Sequence, residues 1–528
     1  MQRLPMILPI LLLAALPARG MTVSSDIAED TAWTAADSPV RIEKDVAVKE
    51  GVTLTVEPAV RIELGPGVTL SVAGMLVARG KEGQEIVFAG VEESGEEARW
   101  KSIRFLDSAV DATFEAVDDY AYGSIVEHCR FQHGTKALHL SAASPYIHEC
   151  TFADNRTEFQ ADIKGGAAIF VEGGSGARIR DCTFESNVAD GFAYGGAVYV
   201  EAGDPILQDN VFTDNTAIYG GALCTNLTAS PIVGNVFDGN RAEGSTESKG
   251  GAVALVSTVS AVMNNEMTGN RSVKDGGGLH VCVDCHPHAT PFILDNTITG
   301  NECEDPDPAA GAGGVGAGFL RMMADNNLHG NTRDGKPADF GWYHPVEEGF
   351  PDWARDVSVA HNWWGTTDTG AIAATITDAA DIDGSGNADP TPALTAPVAG
   401  PIPRVTVTTR RLRYEAAGEP MPVFLTLYNP GAETTLELRI LAQADSGPAV
   451  PFAGPIDFPG IARSSGAYLL TMPENSVFFA VLLSPLYAPE TTPFETVTWH
   501  AALYDPGSGK VVGRVSSIRT QFVKEVTP

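Results

Sequence analysis

Pro205-Ile-Leu-Gln-Asp-Asn210-Val-Phe212-Thr-Asp-Asn215 and Pro291-Phe-Ile-Leu-Asp-Asn296-Thr-Ile298-Thr-Gly-Asn301 are two copies of one pattern. Its second Asn falls at 155, 187, 215, 240, 270, 301 and 331, in steps of 32, 28, 25, 30, 31 and 30 residues. Between copies lies a second signature, Gly195-Gly-Ala-Val-Tyr-Val200, which returns as Gly165-Gly-Ala, Gly220-Gly-Ala, Gly250-Gly-Ala and Gly276-Gly-Gly. A repeat of about 20–50 residues belongs to a solenoid, a propeller or an array. Propeller blades need about 40–45 residues, and leucine-rich repeats need Leu-x-Leu spacing with a helix. Neither matches, and no apolar period of about 3.6 residues lies between the copies.

Alignment on the second Asn exposes three columns. Three residues earlier lie Phe131, Phe152, Phe184, Phe212, Phe237, Met267, Ile298 and Leu328; five earlier lie Cys129, Cys150, Cys182, Asn210, Asn235, Asn265, Asn296 and Asn326. The third column opens with Gly134 and continues as Asn155 to Asn331. One apolar column beside two polar ones is what stacked rungs require, Phe upon Phe inside and amide upon amide at the bends. Asn tolerates the left-handed backbone of a sharp turn, and the paired glycines serve another corner. The expected fold is all-β: a right-handed parallel β-helix with rungs about 4.8 Å apart. Its stability is then a sum over neighbouring rungs.

Outward from this core, Val40 to Gly90 alternates with period two, as in Val52-Thr-Leu54-Thr-Val56 and Val68-Thr-Leu70-Ser-Val72, with breaks at Gly51, Gly65-Pro66-Gly67, Gly74 and Gly80. These are short strands and tight turns. Asn362 and Trp364 of His361-Asn362-Trp363-Trp364-Gly365 keep the column spacing, so Trp364 is expected to plug the last apolar rung. After a Pro-rich stretch, Val423-Phe-Leu-Thr-Leu427, Leu436-Glu-Leu-Arg-Ile440, Val477-Phe-Phe-Ala-Val481 and Thr498-Trp-His-Ala-Ala-Leu503 alternate with turn signals such as Asp505-Pro-Gly-Ser-Gly509. They predict a C-terminal immunoglobulin-like β-sandwich. The chain divides into a leader at 1–20, a polar lead-in at 21–39, the β-helix at 40–387, a stiff linker at 388–404 and the sandwich at 405–528.

Gly51-Val-Thr-Leu54-Thr-Val56-Glu-Pro58 and Gly74-Met-Leu76-Val-Ala78-Arg-Gly80 resemble the N-terminal rungs of bacterial right-handed β-helices of the pectate-lyase-like superfamily. From Phe152 to about Asn331, the paired Phe-x-x-Asn and Gly-Gly-Ala signatures resemble the repeats of the polymorphic outer membrane protein family, surface-exposed adhesins built as β-helices. That resemblance implies adhesion at a cell surface. The chain departs from that family in its short, Pro-punctuated tail, where those adhesins carry a membrane barrel, so self-translocation is not expected. β-Helices of the pectate-lyase type are often polysaccharide lyases or hydrolases, which sets the enzymatic alternative.

Met1-Gln-Arg3, the apolar run Leu4 to Leu16 and Ala18-Arg-Gly20 form a secretory signal pattern with cleavage after Gly20. No later stretch supplies the roughly 20 apolar residues of a membrane anchor, so the expectation is an exported chain in the periplasm, at the cell surface or in the medium. A net charge of −32 disfavours nucleic acid as a partner. Seven Cys lie between Cys129 and Cys303, and in an oxidising compartment some are expected to pair, leaving at least one thiol over.

No cofactor is fixed by the sequence, and two stretches carry cofactor chemistry. Cys282-Val-Asp-Cys285-His286 matches the rule for covalent c-type haem, two thioethers and an axial imidazole. A disulfide, Cys303 included, or a metal site with His280, His286 and His288 reads the same residues differently. Asp381-Ile-Asp383-Gly-Ser385-Gly-Asn387-Ala-Asp389 has the alternate-oxygen spacing of a calcium loop, but Pro392 stands where the bidentate Glu belongs; an acidic turn is the plainer reading.

A polysaccharide-cleaving site needs carboxylates and a basic residue on one outward face. The outward column of the Gly-Gly-Ala strand is read as Ile169, Tyr199, Cys224, Ala254 and His280, without a carboxylate cluster, and Glu149, Asp181 and Asp209 are read as caps of the Asn corner. The function expected is noncatalytic binding of a polysaccharide or another cell-envelope component. A lyase or hydrolase and a haem carrier are the alternatives, and nothing in the residues sets an oligomeric state.

Overall fold

Each copy of the repeat is one turn of a parallel coil in the computed structural model. The structure describes residues 20–93, 96–97, 99–115, 119–158, 164–281, 291–307, 311–343, 356–382, 385–400, 402–409, 413–414, 422–445, 447–452, 462–464, 467–483 and 496–522. A typical turn runs through Ile206–Gln208, Val211–Thr213, Thr216–Ala217 and Leu223–Asn226 before the next begins at Ile232–Val233. Stacking these turns builds a Phe sheet of 12 strands, a Gly sheet of 12, a third sheet of 11 that carries the Pro-x-Ile segments, and a short sheet of eight between the first two.

The Phe column lies inside. Phe88, Phe131, Phe152, Phe184, Phe212 and Phe237 stack with ring centroids 4.6–5.0 Å apart and planes within 8° of parallel. All six are fully buried, so parallel in-register pairing places each ring on the one below. The Asn columns run beside them. Asn215 Nδ2 donates to Asn240 Oδ1 at 2.9 Å and to Phe184 O at 3.0 Å, while its own Oδ1 accepts from Asn187 N and Nδ2. Each buried amide therefore fills both donors and both acceptor sites. One ladder runs from Asn155 to Asn331 and ends on the Asp339 carboxylate; the other runs from Asn210 to Asn362.

Four readings of the sequence change. The left-handed backbone falls on the residue before each Asn, as at Asp154 (φ 54°), Asp209 (φ 55°) and Asp295 (φ 59°), because the Asn itself must aim its amide inward. At the Gly corner, Gly195 is left-handed (φ 59°) and a Cβ on Gly196 would meet Gly221 O at 2.1 Å. Gly165-Gly-Ala is not in register with Gly195-Gly-Ala: Gly165 pairs with Tyr194, and the outward residue is Phe170, opposite Tyr199, in place of Ile169. Residues 21–39 are more than a lead-in, since Met21–Val23 pairs with Val40–Ile42 and Thr31–Trp33 with Thr53–Val56.

The coil closes where Asn362 accepts the last ladder bonds and buried Trp364 fills the apolar centre. The linker is pinned along it, with Leu394 N donating to Asn362 O and Val398 N to Asn327 Oδ1. The C-terminal sandwich faces an antiparallel sheet of Arg404–Thr409, Val423–Asn429 and Ser476–Leu483 against one of seven strands, around Val407, Leu425, Leu438, Ile440, Leu503 and Ile518.

The sandwich lies on the outer face of the third sheet, where Tyr428 and Val477 pack on Met263, Phe292, Leu294 and Ala324. A hairpin, Thr113–Phe114 with Tyr120–Tyr122, covers the earlier rungs of that face, with Phe114 edge-on to Tyr146 at 5.2 Å.

Candidate functional site

Along the Gly sheet, parallel pairing sets two outward columns side by side. One runs Ser71, Arg104, His139, Phe170, Tyr199, Cys224, Ala254 and His280; the other runs Ser141, Glu172, Glu201, Asn226 and Val256. Two adjoining concavities, of about 510 and 350 Å³, lie along these columns and share Lys164. The larger holds four cations, Lys101, Arg104, Lys136 and Lys164, against two carboxylates, Asp45 and Glu172. That local excess stands on a chain with 35 Lys and Arg against 67 Asp and Glu.

The side chains brace one another. Arg104 donates to Ser141 Oγ at 3.2–3.3 Å, and Ser141 Oγ donates to Glu172 Oε1 at 3.0 Å. His139 Nε2 lies 2.8 Å from the same Glu172 oxygen. The hydrogen bond from His139 and the one from Ser141 hold the Glu172 carboxyl down to about 2 against its partial burial. Burial pushes His139 below its ordinary value, against the opposing hydrogen bond to Glu172. Lys164 Nζ binds both Glu201 oxygens at 2.7 and 2.8 Å. Lys136 Nζ sits 4.2 Å from the Phe170 ring centre, a cation–π contact. Phe170 and Tyr199 stack at 5.5 Å, and Tyr194 flanks Tyr199 at 5.4 Å.

Ser141, His139 and Glu172 are the residue types of an acyl-transfer triad, yet their connections differ. The same Nε2 faces both Ser141 and Glu172, whereas a triad needs the acid on Nδ1 and the nucleophile on Nε2. Glu172, fully ionised at neutral pH, carries no proton for a leaving group. The cleft ends where buried His280 Nδ1 meets Asp275 Oδ2 at 2.7 Å. Beyond it the outward column is Gly316 and Gly341, where a Cβ would meet the Asp275 carboxylate at 1.8 Å and the Tyr343 hydroxyl at 2.0 Å.

A family model described as right handed beta helix region matches residues 116–271. The solenoid is a right-handed parallel β-helix. No curated protein and no solved structure matches the chain. Among the described residues no helix is long and apolar enough to cross a membrane.

Cys282, Cys285 and His286 lie outside the described residues, as does Asp383. The described members of the calcium-type loop are engaged apart from one another: Ser385 Oγ donates to Trp342 O, the Asn387 amide donates to Asp356, and Asp389 accepts from Thr391 N and Oγ1. Among the described residues no group of three His, Cys, Asp or Glu is placed to hold a metal. The expected cysteine pairing is not found there either: Cys129, Cys150, Cys182, Cys224 and Cys303 are buried free thiols. Sequence reading followed one outward column and missed its neighbour, which carries Glu172 and Glu201. It also passed over Arg104 and His139, because their rungs lack the Gly-Gly signature that marks the strand.

Proposed function

We propose that the protein is an exported, noncatalytic, adhesin-like β-helix that binds an acidic glycan of the cell envelope along the outer face of its Gly sheet. The observation that carries the reading is the clustering of Lys101, Arg104, Lys136 and Lys164 in one elongated cleft of an otherwise acidic chain. Long clefts with cations suit carboxylate- or sulfate-bearing chains, and half-buried Tyr194 offers an apolar ring beside them for a sugar face. Glu172 and Glu201 on neighbouring rungs keep a polysaccharide lyase or hydrolase as the second reading.

Titration calorimetry with oligogalacturonate, a sulfated oligosaccharide and a neutral glucan tests this. Binding of one acidic glycan, weakened at least tenfold by Arg104→Ala or Lys164→Ala and by added salt, is the expected result. Equal binding of the neutral glucan, or no binding of any acidic one, would sink it. Shortened or unsaturated products after incubation would move the assignment to the enzyme reading.

A further inference from the structure

The junction between the last rungs and the sandwich holds a separate cavity of about 300 Å³. Phe319, Leu320, Met322, Trp342 and Val357 give it apolar walls, and Arg321, Ser358, His361, Asp356 and Arg514 give it polar ones. Among the described residues the charges around it do not balance in pairs. Arg404 binds Asp295 and Asp325, and Arg514 binds Asp325, so two guanidinium groups meet two carboxylates. Arg321 is the third cation. Its Nε donates to Ser517 O at 2.6 Å, and it makes no ion pair among the described residues. Asp356, across the wall, accepts from Asn387 N and Nδ2 instead. Arg321 is half-buried, and that partial burial lowers its guanidinium pKa.

We propose that this junction cavity is a binding site for a small organic monocarboxylate with an apolar body, whose carboxylate pairs with Arg321. The guanidinium presents parallel N–H groups that match a carboxylate in two-point geometry. The apolar walls accept the rest of the molecule, and the volume is at the small end of ligand sites, about 300–1,000 Å³. A dianion is disfavoured because the Asp356 carboxylate also lines the cavity. Since the cavity is bounded by both domains, a bound ligand would tighten their contact.

The test is thermal unfolding and calorimetry of the full chain with benzoate, phenylacetate and butyrate, against benzamide and sulfate. At least one carboxylate is expected to raise the melting temperature by roughly 3–6 °C near saturation, with benzamide and sulfate inert. Arg321→Met is expected to abolish that response without lowering the ligand-free melting temperature, because it removes an uncompensated charge. Arg321→Lys keeps the charge but loses the fork, and is expected to weaken binding about tenfold. Three results overturn the proposal: no carboxylate shifts the transition, benzamide or sulfate shifts it equally, or Arg321→Lys binds as the native protein does.

Discussion

Asn240 carries the logic of the fold in one side chain. Its Oδ1 accepts from Asn215 N and Nδ2, and its Nδ2 donates to Phe212 O and Asn270 Oδ1, all within 3.0 Å and out of contact with water. Asn240→Ala would take one bond from each of four buried polar groups, leaving Asn215 N without its acceptor while Asn215 Nδ2 keeps Phe184 O and Asn270 Oδ1 keeps Asn240 N. A buried group without a partner costs about 1–3 kcal/mol, so with the weakened neighbours a loss of about 2–4 kcal/mol in urea unfolding is expected. A loss below about 1 kcal/mol would mean the ladder follows from the packing and does not support it. The thiols make the contrasting case. Cys150 Sγ donates to Val126 O and His148 O, the positions Asn235 Nδ2 reaches at Leu207 O and Val233 O. Cysteine there imitates the inner half of the amide without the link to the next rung. Burial pushes Cys150 and Cys182 well above the ordinary thiol range and Cys303 to about 12. The five described thiols should therefore resist a disulfide reagent until the chain is unfolded. Rapid labelling of the native protein at any of them, read by peptide mapping, would contradict this burial.

Strands and corners show a second pattern, a line of charges on the left-handed residues and their neighbours. His148 lies within 3.3–3.7 Å of Glu127, Glu149 and Asp181, and stacks on Tyr146. Burial alone would lower its pKa, but hydrogen bonds to Asp181 and Glu127 outweigh it and raise the imidazolium to about 9. A raised folded value means the stabilisation is complete below about pH 6.5, the unfolded value, and is lost as pH climbs through about 9. His148→Gln should therefore cost about 2 kcal/mol at pH 6 and almost nothing above about pH 9.5. A cost that stays constant with pH would show that His148 acts by packing alone. Much of this level was legible: the Phe and Asn columns, the closing Asn362 and Trp364 and the sandwich strands all follow from residue spacing, because each rung repeats the same demand. What misled was local imitation. Gly165-Gly-Ala copies the corner signature, yet Gly165 occupies the place of Tyr194, where a Cβ would meet Tyr194 O at 1.7 Å. One residue of slip turns every side chain of a strand to the other face, so Ile169 was read as outward where Phe170 stands.

At the scale of the whole molecule, the corner that shapes the coil also holds the second domain. Asp209 accepts from Asn475 Nδ2, Asn264 donates to the Tyr428 hydroxyl, and Asp295 and Asp325 take Arg404 and Arg514, all from left-handed positions of one column. Asp209, read from sequence as a turn cap, thus has a second duty. Spacing could not reveal it, because the partners are 79 to 266 residues away in the chain and belong to no repeat. Arg404 is the centre of this clamp, 4 % exposed, on an Asp295 side chain that is 2 % exposed. Burial raises the Asp295 carboxyl, and the Arg404 guanidinium opposes that rise. Removing one partner of a buried pair leaves the other uncompensated, at a cost of about 3–5 kcal/mol. Arg404→Met should therefore loosen the docked sandwich without unravelling the coil, whose rungs depend only on their neighbours. Solution scattering should show a larger radius of gyration, and protease cleavage between Leu394 and Arg404 should quicken, while the β-sheet circular dichroism signal is kept. An unchanged scattering curve would place the strength of the junction in the apolar contact of Tyr428 and Val477 with Phe292, and Phe292→Ser would then be the variant that separates the domains.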